Sequence, residues 1–306
     1  MDKLQIFYST IEALGAIATV LSLLWAIKVY KSANEERGYL ETKDNIMKIP
    51  QLCRELNLLL TEPFFAAIGN SIANELKELF VENQTIEDYS EFLLNDSSKN
   101  YKAIAIYSGL KKCSEVKQIN DIIKQLEESN RNILMRFPLF GRALQKLSFY
   151  ITTPAEQAIS SHALNKSLAY IMDDGDTNDL LKSVLKDAAA TGNKELYFKE
   201  LAIYLTNISR MHLSGQHLGQ RTIDLSYNML SIVCKYFGAL DETTIKKYSK
   251  KDKKTVKKFK GFDNKHAVED AMEVYKKYQK LFSESEWEKL IEYKGRIIEL
   301  MENDDE

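Results

Sequence analysis

The densest chemistry in this chain is the run 246–260, KKYSKKDKKTVKKFK. Nine lysines and one aspartate give it a net charge of +8, so the rest of a chain whose total is −2 carries −10. Lys246, Lys247, Lys250, Lys251, Lys253, Lys254, Lys257, Lys258 and Lys260 offer ammonium groups to anionic lipid or to a nucleic-acid backbone. Tyr248, Phe259 and Phe262 are available to stack on bases. Lysine without arginine argues against base-specific readout. Composition alone favours a plainer reading, a solvated lysine-rich connector balanced by the acidic stretches 75–91 and 284–306.

A second constellation lies near the N-terminus. Glu12, Gly15, Thr19, Ser22 and Ala26 are spaced 3, 4, 3, 4, which puts them on one stripe of a helix. Around them runs an apolar segment, Ile6 to Ile27, whose one charge is Glu12. Its twenty-two residues span about 33 Å as a helix, enough for a hydrocarbon core of about 30 Å. Phe7 and Tyr8 sit at one end, Trp25 and Tyr30 at the other, as interfacial aromatics do. Lys28, Lys31, Arg37, Lys43 and Lys48 follow it, against Lys3 before it, which predicts an outside N-terminus and a cytoplasmic C-terminal part. In lipid, helices associate through small residues and interhelical hydrogen bonds, so the stripe predicts a homo-oligomer. A buried core helix is the competing reading, because Glu12 shortens the strictly apolar part.

Histidine and acid clusters carry less. His212 and His217 lie five apart, about 140° around a helix, so they do not share a face as a metal pair would. The run 173–179, DDGDTND, lacks the EF-hand order of acids and glycine and reads as a junction between helices. Arg210 and His217 match the R-x6-H spacing, and the pair resembles the motif of the all-helical HEPN ribonucleases, although Met211 departs from the residues usual beside that arginine. The resemblance covers eight residues. It implies an arginine on the scissile phosphate and a histidine on the 2′-hydroxyl proton. Two structural histidines are the alternative. P-loop, G-x-S-x-G and H-E-x-x-H motifs are absent from the sequence, and no metal or cofactor is implied.

These residues need a scaffold, and the composition specifies one. The 306 residues are 44% apolar and 28% charged, with 12 glycines and four prolines, none after Pro154. That is the profile of an all-α protein with a substantial core. Cys53, Cys113 and Cys234 sit in apolar helical contexts and read as buried free thiols. Helices are predicted over 51–62, 64–82, 98–112, 114–137, 154–172, 177–190, 194–213, 216–239, 264–282 and 284–301. In 114–137, Val116, Ile119, Ile123, Leu126, Asn130, Ile133 and Phe137 form a 3-4 seam suited to an antiparallel bundle or a coiled coil.

Pro50 is expected to end a charged helix that leaves the membrane. Thr153, Pro154 and Glu156 read as a capping box that opens a new helical unit. The expected organisation is therefore a transmembrane anchor (1–33), a juxtamembrane helical stalk (34–50), and helical subdomains at 51–150 and 154–306. The expected function is a non-enzymatic signalling, scaffold or membrane-perturbing effector, a layout that bacterial anti-phage effectors also use. Alternatives are a tethered ribonuclease through Arg210 and His217, and a nucleic-acid or anionic-lipid module through 246–260. A protein partner is left open.

Overall fold

A computed structural model describes residues 3–80, 84–94, 98–162, 164, 175–214, 220–263 and 266–303, with the side chains of 3–18, 94, 175–182, 211–214, 220 and 303 outside the description. Among the described residues there are helices and no strands, as the composition predicts. The helices are α1 (Lys3–Leu59), α2 (Glu62–Glu78), α3 (Ile86–Leu94), α4 (Lys99–Lys112), α5 (Ser114–Arg136) and α6 (Pro138–Ala158). They continue as α7 (Gly175–Ala190), α8 (Lys194–Ser214), α9 (Gln220–Gly238), α10 (Glu242–Val256), α11 (Ala267–Lys276) and α12 (Glu284–Asn303).

The C-terminal third of α1 lies against α5 and α9, and α6 packs on α5, α9, α10 and α11. At the other side α2 is held between α8 and α4. Phe137, Phe140, Phe237 and Tyr278 form the aromatic centre; the Phe140 and Phe237 rings stack at 3.6 Å. Buried residues from both sides of position 154 belong to one contiguous core.

Two prolines behave differently from expectation. Pro50 lies inside α1, which continues to Leu59. Ile46 and Ile49 before it, and Leu52, Cys53 and Leu56 after it, are all buried in the same core. Burying five such side chains outweighs the roughly 3 kcal/mol of an internal proline. Thr153 and Pro154 likewise lie inside α6, so no helix begins there. Pro154 is near the C-terminal end of α6 and buried, where one lost ladder bond is tolerated. Most of the stalk is also part of the body: from Gly38 onward, α1 has a buried face.

The lysine-rich run is not a connector up to Val256. It is α10, opened by Asp241, whose Oδ1 accepts the Thr244 N–H at 2.9 Å. Ile245, Ser249 and Asp252, spaced i, i+4, i+7, form its buried face. The helix α3 was not foreseen, although Thr85 and Asp88 cap it: the Asp88 N–H donates to Thr85 Oγ1 at 3.1 Å.

Among the described residues no helix is long and apolar enough to cross a membrane. Most of the apolar run Ile6–Ile27 has side chains outside that description, so the expected anchor finds no support there. Residues 19–37 of α1 are exposed throughout.

Candidate functional site

The positions singled out in the sequence fall in three places. Thr19, Ser22 and Ala26 are exposed on α1, while the side chains of Glu12 and Gly15 lie outside the described residues. Beside the three, the exposed surface holds Val20, Leu21, Leu23, Leu24, Trp25, Ile27, Val29 and Tyr30, with Trp25 at 69% and Tyr30 at 74%. A single-file exposed leucine is unremarkable on a protein surface. Eight large apolar side chains within eleven residues form a patch that water does not favour.

The body first closes on α1 at Gly38. The Arg136 guanidinium occupies the space a Cβ would need there, and it lies 4.6 Å from the Tyr39 ring centroid. Thr42 Oγ1 donates to the Gly38 carbonyl at 2.8 Å.

Arg210 does not meet the second half of its motif in the described structure. Its Nη1 lies 3.4 Å from Glu62 Oε2, both side chains being solvent-exposed, and His217 is outside the described residues. An arginine paired with a carboxylate is a poor phosphate clamp as it stands. Among the described residues no group of three His, Cys, Asp or Glu side chains is placed to hold a metal ion.

The lysine helix builds the most developed site. Ser249 Oγ donates to the Arg136 carbonyl at 2.7 Å, satisfying the end of α5. One turn on, Asp252 accepts the N–H groups of Leu139 and Phe140 at 2.8 and 3.2 Å, satisfying the start of α6. Tyr278 O–H donates to the same carboxylate. Burial, the largest influence, pushes the Asp252 pKa above the usual aspartate value; the Tyr278 hydroxyl, the two backbone N–H groups and the Lys277 charge pull it down. Tyr278 is pushed far up by its own burial and then by Asp252.

With that face fixed inward, Lys247, Lys250, Lys251, Lys253, Lys254, Lys257, Lys258 and Lys260 are turned to water. Lys246 pairs with Glu242 and lies 5.5 Å from the Tyr39 ring centroid. Phe259 and Phe262 pack on each other at 4.9 Å and against the core.

Lys247 and Lys251 face a groove of about 810 Å³ between α10 and the start of α12. Its other cations are Lys276, Lys277 and Lys280, which the sequence reading missed because they lie outside the run. Tyr248, Phe282 and Trp287 give the groove an aromatic lining. Phe282 and Trp287 rings are 5.8 Å apart and inclined by 33°. Lys251 is held by the Lys277 carbonyl at 3.2 Å. Glu284 and Glu288 occupy the α12 lip. The lysines thus come from α10 and from the end of α11 and the turn after it, and the acids from α12.

A smaller groove of about 440 Å³ separates α5 from α6 and contains Glu127, Asn130, Arg131 and Glu156. Burial, then the Glu127 charge, raises the Glu156 pKa.

Compared with known proteins, the chain matches no family description, no characterised protein and no solved structure.

Proposed function

We propose that this chain is a membrane-anchored, self-associating helical protein that acts without catalysis, as a signalling, scaffold or membrane-perturbing effector. The observation that carries the reading is the bare stretch 19–37 of α1, a helix with eight large exposed apolar side chains that no element among the described residues covers. Removing those side chains from water is worth on the order of 10 kcal/mol, and a bilayer supplies the cover. The charge bias of the sequence then leaves the body on the cytoplasmic side.

Gly38, where the body begins, lies ten residues beyond Lys28, so the body hangs about 15 Å from the membrane edge. Within lipid, the stripe of Glu12, Gly15, Thr19, Ser22 and Ala26 offers small and polar atoms to copies of itself.

The test is fractionation of the full chain with alkaline carbonate, followed by crosslinking in the membrane. A protein retained in the pellet and crosslinked as discrete oligomers supports the reading, with the oligomers lost on Thr19→Leu or Glu12→Leu. Recovery of the intact chain as a detergent-free soluble monomer overturns it.

A further inference from the structure

We propose that the groove between α10 and α12 binds a nucleotide, with the phosphates on the lysines and the base on Trp287, which Phe282 backs. The site lies in the body, so this inference stands or falls apart from membrane anchoring.

Three properties carry it together. The volume, about 810 Å³, is that of a small-molecule site, ample for a nucleoside triphosphate or a dinucleotide. The lining holds five lysines and two glutamates, a surplus of positive charge that matches a ligand bearing several negative charges. The third property is the aromatic wall, which an inorganic anion would leave unused.

Trp287 is half-buried and packs on the buried Phe282, so Trp287 is the ring that keeps surface for a base to stack on. Bases stack on such a surface whatever their identity, because every base has a π-face. The glutamates orient the ligand. Glu284 and Glu288 repel phosphate from the α12 lip, and their carboxylates can accept hydrogen bonds from ribose hydroxyls there. Phosphates are left to Lys247, Lys276 and Lys280, which make no salt bridge among the described residues.

A single-stranded RNA shares this chemistry, but a strand needs a positive track that continues past one base. Lys254 continues the Lys247–Lys251 face of α10, but the groove is bounded by Glu284 and Glu288 on α12, and its aromatic lining gathers within that one groove, at Tyr248, Phe282 and Trp287. A discrete ligand uses all of the groove as it is built.

The two tryptophans of the chain are Trp25 and Trp287, so Trp25→Phe in the full chain, purified in detergent, leaves Trp287 as sole reporter. The probes are the four ribonucleoside triphosphates, tripolyphosphate, a uridine dodecamer and soluble short-chain phosphatidylserine. At least one triphosphate is expected to quench Trp287 saturably and to bind about tenfold or more tighter than tripolyphosphate. Lys247→Gln with Lys280→Gln, both exposed positions, is expected to weaken that binding about tenfold or more while leaving the melting temperature unchanged. The proposal is overturned if none of the four nucleotides surpasses tripolyphosphate. It is equally overturned if the dodecamer or the lipid surpasses every nucleotide, which would make the groove an RNA or headgroup site, or if the lysine pair makes no difference.

Discussion

Asp252 Oδ2 accepts the backbone N–H of Leu139 at 2.8 Å across 113 positions of sequence. The one acid in a run of nine lysines therefore serves as the helix cap of another element. Its charge also faces the positive end of the α6 dipole. Replacing it by alanine leaves two buried amides and the Tyr278 hydroxyl without an acceptor. Asp252→Ala is expected to destabilise the protein by about 3–5 kcal/mol, and Asp252→Asn, which keeps an acceptor, by clearly less. Urea denaturation followed by circular dichroism measures both.

The same residue sets a pH dependence. Because burial raises its pKa in the folded state, Asp252 binds a proton more readily folded than unfolded. Its contribution is stabilising below the unfolded value of 3.8 and is lost as pH rises through the higher folded value. The stability difference between wild type and Asp252→Asn should therefore shift in favour of wild type as pH falls from 7 towards 4. Parallel urea titrations at several pH values decide this, and a difference that is flat or runs the other way contradicts the assignment.

Glu75 provides the opposite sign. The Lys112 ammonium, first, and the Ser108 hydroxyl hold its pKa below the ordinary glutamate value. Its contribution is present above the unfolded value of 4.5 and fades as pH falls through the lower folded one. The pair is exposed enough on the Lys112 side for the effect to be small, and Glu75→Gln should remove it together with its salt sensitivity.

Gly69 sits at a close crossing of α2 with α8. A Cβ there would meet the Ala202 carbonyl oxygen at 2.6 Å and the Thr206 backbone nitrogen at 2.8 Å, and backbone cannot swing aside. Gly69→Ala is expected to cost about 1–3 kcal/mol by forcing α2 away from α8. At Gly38 the obstructing atoms belong to the flexible Arg136 tip, so Gly38→Ala should cost less than Gly69→Ala. Thermal melts of the two variants give the order.

The cysteines yield a reactivity prediction. All three are free and buried; burial pushes Cys53 up to about 12 and Cys234 well above its usual value. Neither should react with a thiol-specific alkylating reagent at pH 8 until the protein unfolds. Mass spectrometry of native and denatured samples tests this, and rapid native labelling of Cys234 would refute the packing of α9.

What the sequence revealed, and what it hid, follows from the range of the interactions. The seam from Val116 to Ile133 is local, so α5 was legible almost to its last residue. The prolines misled because propensity is a weak prior, and Ile46 to Leu56 gain more from a shared core than Pro50 loses. The cap of α3 was present as Thr85 and Asp88 in a stretch too short and too acidic to suggest a helix. Of the groove, Lys247 and Lys251 were visible as charge. Lys276, Lys277, Lys280 and Trp287 reach it by a turn whose geometry is fixed by Tyr278 and Asp252, a contact no spacing rule encodes.

From Lys3 to Leu59, α1 is a single continuous helix, met by Arg136 at Gly38 and packed against α5 and α9 beyond. The bare segment and the core-facing segment thus belong to one continuous helix, so where the first is held fixes where the second can lie.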